Sequence, residues 1–351
     1  MKTIEQFITL VFLLTSFAVL SQKKVALHSN GSASFFIGAT PFNDAYTAAV
    51  DGDTIYLPGG VFASPGNINK RIVVYGIGHH PDSSAVMGET IITGNTSVQS
   101  GAAKSHFEGL KFSSGYFHYS GVADSIIIKR SYLSAINFNN FASVGTQVIE
   151  NVIVGSINGA GSINTVIANN IIKKYGEVLT NFANQAWIRN NIIVGSGSLT
   201  SGYIDRYVIN NITDCLFDNN IIFNEGSGST FRINYVLSPT VSNNTFKNNV
   251  FNITPDLTLN TQENNYFDVV SSTFFNNYTA LTFDYAEDLH LVSPASYIGT
   301  TGNEVGIYGG FTPAKIGMIP VNPHYQFKII APATDVNGDL QIQIKVEAQD
   351  N

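Results

Sequence analysis

An asparagine pair followed by two apolar residues recurs through the middle of this 351-residue chain. It reads Asn169-Asn170-Ile171-Ile172, Asn190-Asn191-Ile192-Ile193, Asn219-Asn220-Ile221-Ile222, Asn248-Asn249-Val250-Phe251 and Asn264-Asn265-Tyr266-Phe267. Degenerate copies precede it at Arg130-Ser131-Tyr132-Leu133 and Glu150-Asn151-Val152-Ile153. Counted at the second position, the steps are 20, 19, 21, 29, 29 and 16 residues. A period near twenty predicts a stacked solenoid, and it is too short for repeats built from helix pairs.

The neighbours of the pair say how each coil is built. Three residues before the second Asn stand Ile128, Val148, Ile167, Ile188, Phe217 and Phe246, which predicts an inward apolar column. The Asn falls at a bend between strands, where tolerance of the left-handed conformation is needed. Stacked coils would bring these amides about 4.8 Å apart, close enough for each to donate to the next. Arg189, Asp218, Lys247 and Glu263 occupy the position two before the second Asn. Their alternating signs predict a surface charge ladder rather than a catalytic set.

The stretches flanking the repeat differ in character. Residues 1–21 combine Lys2, an apolar run from Phe7 to Leu20 and Ser21-Gln22, the pattern of a secretory signal peptide. The run is too short for a membrane anchor, so an exported protein, periplasmic, secreted or at the cell surface, is expected. Pro41 to Val50 place apolar residues at 42, 45, 46 and 49, predicting a short capping helix before the turn Asp51-Gly52-Asp53 and the strand Thr54–Leu57. Strands and Gly/Asn/Ser turns then alternate to about residue 312, with coils expected to end near Asp288–Ala295 and Val305–Gly310. The two 29-residue steps are assigned to loops around Gly195–Gly202 and Asn224–Ser229, with a competing phase at Asn210-Asn211-Ile212-Thr213. After a Pro-containing linker at 313 onward, Tyr325–Ile330 and the alternating Leu340–Val346 predict a two-stranded tail, with Asn337-Gly338 as turn material. The expected domains are thus 1–21, 22–312 and 313–351.

Charged residues are only 12% of the chain and the net charge is −7, a balance that disfavours nucleic acid as a partner. The single cysteine, Cys215, cannot form an intrachain disulfide and reads as a buried structural thiol.

The helix with its Asp51–Gly60 sequel, the Asn-Asn-Ile-Ile ladder and the closing Ser293-Pro294-Ala295 and Val305–Gly310 together resemble the pectin-lyase-like superfamily of right-handed parallel β-helices. The resemblance covers roughly residues 40–312, and the closing stretch with its Pro-linked tail is most similar to exported β-helix proteins of Bacteroidetes. It implies an all-β right-handed parallel β-helix of about ten coils, with an N-terminal capping helix and a small C-terminal β appendage. It does not imply one activity, because this fold carries lyases, hydrolases, esterases and adhesins.

Chemistry is harder to find. The carboxylates Glu108, Asp124, Glu150, Glu177, Asp205, Asp214 and Asp218 are dispersed, whereas glycoside hydrolysis needs convergent ones and calcium needs an acidic cluster. The polygalacturonase-like motifs are missing, and the Asp and Arg set of a methylesterase cannot be placed. His79-His80-Pro81-Asp82 carries possible metal ligands, but Gly78 and Pro81 make it read as a surface turn, and neither a metal nor a cofactor is expected. The strand half a coil before the Asn-bearing one should line a lateral face with Tyr116, Phe117, His118 and Tyr119, then Asn137, Phe138, Asn139 and Asn140, then Asn158, Glu177, Asn181, Asp205, Arg206 and Arg232. Rings, amides and a few charges suit stacking on sugars and bonding to hydroxyls, with a merely solvated face as the competing reading. Tyr116, His118, Tyr119, Asn139, Asp205, Arg206 and Arg232 are the candidate substrate-binding residues. The expected function is noncatalytic recognition of a polysaccharide or cell-surface glycan; the alternative is a polysaccharide lyase acting on an acidic glycan through an atypical Tyr/His/Arg site.

Overall fold

In a computed structural model that describes residues 24–82, 84–196, 207–226 and 236–348, the repeat winds into a parallel β-helix. Each coil contributes one short strand to each of up to three sheets. The first sheet contains ten mutually parallel strands: Asp53–Tyr56, Ile72–Tyr75, His106–Glu108, Ile127–Lys129, Gln147–Ile149, Val166–Ala168, Trp187–Arg189, Leu216–Asp218, Thr245–Lys247 and Thr261–Glu263. The second has nine strands, from Gly60–Ala63 to Val250–Phe251, and the third has seven, from Asn67–Ile68 to Ile209–Asn210. Ten coils therefore stack, as the period implies. The leader segment read as a signal peptide lies outside the described residues.

The four residues of the repeated motif do four different jobs. The first position takes the left-handed conformation in every copy, from Arg130 at φ 48° and Glu150 at 55° to Asn169 at 55°, Asn190 at 53°, Asn219 at 58°, Asn248 at 53° and Asn264 at 51°. The second position carries the ladder. Asn151 Nδ2 donates to Asn170 Oδ1 at 3.0 Å, Asn170 to Asn191 at 2.9 Å, Asn191 to Asn220 at 2.9 Å, Asn220 to Asn249 at 3.0 Å and Asn249 to Asn265 at 3.1 Å. Each Oδ1 also accepts the backbone N–H of the preceding ladder residue, and each Nδ2 reaches back to a carbonyl one coil earlier, as Asn220 does to Ile188 O at 2.7 Å. The two roles that sequence placed on one asparagine are thus divided between the pair.

The last two positions point to opposite sides of the second sheet. Ile153, Ile172, Ile193, Ile222 and Phe251 join the main core inside the helix, with the column Ile128 to Phe246 opposite them. Val152, Ile171, Ile192, Ile221 and Val250 face outward, yet they are buried in a second apolar cluster with Phe274, Phe275, Leu289, Leu291, Val305, Ile307 and Met318. A strand buried on both faces needs consecutive apolar residues rather than alternation. That is why the motif ends in Ile-Ile.

What covers this face is the segment from about 269 to 323. The last parallel strand is Thr261–Glu263, with Tyr266 bridged to Val250, so the coils end well before the Asp288–Gly310 stretch that sequence assigned to them. The chain instead turns back along the second sheet as an arm, stiffened by a small antiparallel pair, Phe275–Asn277 with Asp288–Leu291. The left-handed asparagines hold it: Asn169 Nδ2 donates to Ile307 O at 2.9 Å, Asn190 Nδ2 to Gly306 O at 3.3 Å, Asn219 Nδ2 to Thr300 Oγ1 at 2.9 Å and Asn248 Nδ2 to Ile298 O at 3.3 Å. In the earlier coils the same row is ionic. Arg130 Nε lies 2.7 Å from Glu150 Oε2 and its Nη1 3.1 Å from Glu108 Oε1, which also accepts the arm's Val321 N–H at 2.9 Å. Burial alone would raise the Glu108 carboxyl, but His106, the Val321 amide and Arg130 outweigh it and hold its pKa below the usual carboxylate range. Midway, buried Lys173 pairs with Glu287 on the arm. Where the arm crosses Gly109, a Cβ there would sit 2.8 Å from Pro320 Cβ, and φ is +72°, so glycine is required twice over.

The N-terminal end of the core is capped. Helix α1, Pro41–Ala48, buries Phe42, Ala45 and Tyr46 on the first coils, and a hairpin of β1 (Val25–Ser29) and β2 (Ser32–Phe36) pairs antiparallel to the first sheet. Its turn, Asn30-Gly31 at φ 49° and 78°, is the preferred two-residue hairpin type. At the other terminus His324–Ile330 pairs antiparallel with Ile342–Glu347 as the expected appendage. Cys215 is buried, its thiol pushed up to about 12 by desolvation, in keeping with a structural role.

Candidate binding groove

The outer face of the third sheet carries a polar concavity. It is a groove of about 550 Å³ lined by Asn95, Tyr116, His118, Asn137, Asn139, Ser156, Asn158, Lys174, Glu177, Thr180 and Asn181, with Ala135 and Ile136 in its floor. These residues come from five consecutive coils, so the groove runs along the solenoid axis. Its backbone is a single register column, in which Asn67, Ser97, His118, Asn137, Asn158, Thr180 and Asn210 are paired strand to strand. The alternation of the pleat does this, because each column residue neighbours an inward one: Ile136, Ile157, Leu179 and Ile209 point into the core.

Hydrogen bonds within the protein orient the amides. Asn137 Oδ1 accepts the Asn139 N–H at 2.9 Å and Asn158 Oδ1 accepts the Ala160 N–H at 3.1 Å. Each carboxamide is thereby fixed through its oxygen, and among the described residues neither Asn137 Nδ2 nor Asn158 Nδ2 has a protein acceptor. Asn181 Nδ2 donates to Asn158 Oδ1 at 3.1 Å, Asn211 Nδ2 to Asn181 Oδ1 at 2.8 Å and Asn210 Nδ2 to Glu177 Oε1 at 2.8 Å. Asn95 Oδ1 accepts the Tyr116 N–H at 2.9 Å and so fixes the backbone of the most exposed ring of the groove, 58% accessible. Two oriented amides and a ring at the rim can donate to hydroxyls and cover a sugar face.

Of the sequence candidates, Tyr116, His118 and Asn139 are brought together here, with Asn137, Asn158, Glu177 and Asn181 beside them. Tyr119 is not available to a ligand. Strand alternation turns it inward, where it is fully buried, stacks on Phe138 at 4.5 Å and meets Thr146 Oγ1 at 2.7 Å. Asp205, Arg206 and Arg232 lie outside the described residues. Sequence missed Asn95, Ser156, Lys174 and Thr180. For Thr180 the signal was a second repeat, an apolar residue followed by a polar one at Ile136-Asn137, Ile157-Asn158, Leu179-Thr180 and Ile209-Asn210; the other three lie outside it.

The His79–Asp82 segment is a turn, but not a surface one for its first residue. His79 is buried under the arm, its Nδ1 3.1 Å from the Tyr285 hydroxyl, and burial pushes its pKa down to about 3. Among the described residues no three His, Cys, Asp or Glu side chains converge as a metal site would need.

The class of protein is therefore clear at the level of architecture: a ten-coil parallel β-helix with an arm on one flank and a polar groove on another. No family model and no curated protein matches the chain. Among solved structures it is similar to a mutant of the PL6 family alginate lyase AlyGC, with 11% identity over 85% of this chain and a TM-score of 0.24. The match spans 59% of that lyase's length.

Proposed function

We propose that the protein binds a glycan, without cleaving it, in the groove on the third sheet. The observation that carries this reading is the pair of oriented amides of Asn137 and Asn158 on successive coils, whose Nδ2 groups have no acceptor among the described residues, next to the exposed ring of Tyr116. Amide donors and an aromatic rim match what a sugar presents, hydroxyls at its edge and C–H groups on its face. The apolar leader fits a protein that works outside the cytoplasm, where such glycans are met.

A lyase acting on an acidic glycan is the second reading. It draws on His118 and Lys174, which line the same groove and could act as base and as partner of a substrate carboxylate. Against it, the remaining polar lining is amide and hydroxyl apart from Glu177, a carboxylate that would repel that of the substrate. Purified protein incubated with a panel of neutral and acidic polysaccharides separates the two: a lyase releases unsaturated, ultraviolet-absorbing ends, while a binder retards the glycan unchanged. Tyr116→Ala is expected to weaken retention several-fold with the denaturation midpoint unmoved. Retention that survives this change and the loss of both amides would remove the groove from consideration.

A further inference from the structure

The groove's charge, direction and spacing say more than that a sugar could lie there. Of its described lining residues only Lys174 and Glu177 are charged, and they cancel. Glu177 is moreover engaged by Asn210 Nδ2 at 2.8 Å. A polyuronate carries a carboxylate on each sugar and needs compensating cations along its track. This groove crosses five coils with a single lysine among its described residues, on a chain whose net charge of −7 repels a polyanion.

The spacing is equally specific. Column residues on adjacent coils are separated by one inter-strand distance, about 4.8 Å, so five coils give a track on the order of 20 Å long. In an extended glycan of equatorially linked pyranoses, one sugar advances by close to that rise. An α-1,4-linked glucan, axial at only one end of each link, coils and advances by much less. The free Nδ2 groups of Asn137 and Asn158 sit one rise apart in one column, with His118 one coil before them and Thr180 one coil after.

Building on the glycan-binding reading, we propose that the ligand is a neutral, extended, equatorially linked polysaccharide lying parallel to the solenoid axis, one sugar to each coil. Each amide then donates to a hydroxyl of a successive sugar, and Tyr116 at the rim covers one ring face. Because no ionic contact is used, affinity is insensitive to salt, unlike the capture of a polyanion.

The test is calorimetric titration of the whole protein with β-1,4-linked neutral oligosaccharides of one to eight sugars, alongside an α-1,4-linked glucan series and uronic-acid oligomers, at low and high salt. Affinity for the extended neutral series is expected to climb with length up to about five sugars and then level off, changing less than twofold with salt. Asn137→Asp and Asn158→Asp retain the oxygen that accepts the backbone N–H but lose the outward donor, and each is expected to weaken binding about tenfold, worth about 1.4 kcal/mol. Preference for uronic oligomers with loss in salt overturns the neutral assignment while leaving the groove as the site. A plateau at two sugars, or equal binding of the α-1,4 series, overturns the axial register. Binding of no glycan in any series overturns the glycan reading itself.

Discussion

Replacing Asn220 by Ala tests whether the amide ladder holds the coils together. Asn220 is fully buried in the middle of the stack. Its Nδ2 donates to Asn249 Oδ1 and Ile188 O, and its Oδ1 accepts from Asn191 Nδ2 and from the Asn191 backbone N–H at 3.0 Å. Truncation leaves two buried donors on Asn191 without an acceptor and the Ile188 carbonyl without its side-chain donor. At about 1–3 kcal/mol for each orphaned buried group, discounted for local relaxation, the loss is about 3–6 kcal/mol. That is a large part of the ~5–15 kcal/mol that stabilises a typical domain. Asn265 supplies the internal comparison. It ends the ladder, accepts from Asn249 and donates to Phe246 O, and is only partly buried, so water replaces much of what Asn265→Ala removes. Its loss is expected to be about 1 kcal/mol. Urea unfolding of both variants measures the difference, and hydrogen exchange at the Asn191 amide localises it, since that N–H donates to the deleted oxygen. Equal midpoint shifts, or unchanged protection of Asn191 in Asn220→Ala, would refute a ladder whose value comes from burial.

Three other outcomes follow from the arm and the tail. His79 is neutral when folded, with a pKa pushed from 6.5 to about 3, so the unfolded chain binds the extra proton. Its contribution is therefore complete above about pH 6.5 and is lost as pH falls, by about 2 kcal/mol at pH 5; His79→Gln should flatten that part of the stability-against-pH curve, and parallel curves would refute it. Burial pulls the Lys173 ammonium below its ordinary value against the opposing attraction of Glu287. Lys173→Met alone strands that carboxylate and is expected to cost about 3–5 kcal/mol, while Lys173→Met with Glu287→Gln recovers most of it, as a double-mutant cycle in urea would reveal. The tail beyond Tyr325 exposes both strands, so deleting 326–351 should move the thermal midpoint by no more than about 0.5 kcal/mol equivalent; a larger loss would mean that the hairpin braces the helix.

The coil architecture was legible because its cause is local and recurs. Each twenty-residue step restates the same inward residue, the same bend and the same amide, and small errors of phase are corrected by the next copy. The groove was partly legible for the same reason: His118, Asn137 and Asn158 share a column by counting alone. Tyr119 was misplaced because adjacent ring positions on one strand were credited to one face, which the two-residue alternation forbids. The short ladder of Asn244 and Asn260, where Asn244 Nδ2 meets Asn260 Oδ1 at 3.0 Å, went unread because it occurs only twice and so has no period to betray it.

The arm lies at the other extreme, since its contacts with the coils span separations such as that between Asn169 and Ile307, and no periodicity marks residues 269–323. Yet the coils announced that something must cover them. A second sheet open to water would have alternated, whereas Val152-Ile153, Ile171-Ile172, Ile192-Ile193 and Ile221-Ile222 are apolar on both faces, and a solvent-exposed row of such residues would invite aggregation. The left-handed asparagines Asn169, Asn190, Asn219 and Asn248 satisfy the bend and turn their amides toward that same flank, to Ile307 O, Gly306 O, Thr300 Oγ1 and Ile298 O in successive coils. Coil and arm therefore share one motif. A chain cut at residue 268 should expose the Val152–Val250 row and aggregate rather than persist as a shorter solenoid, even though every coil is retained.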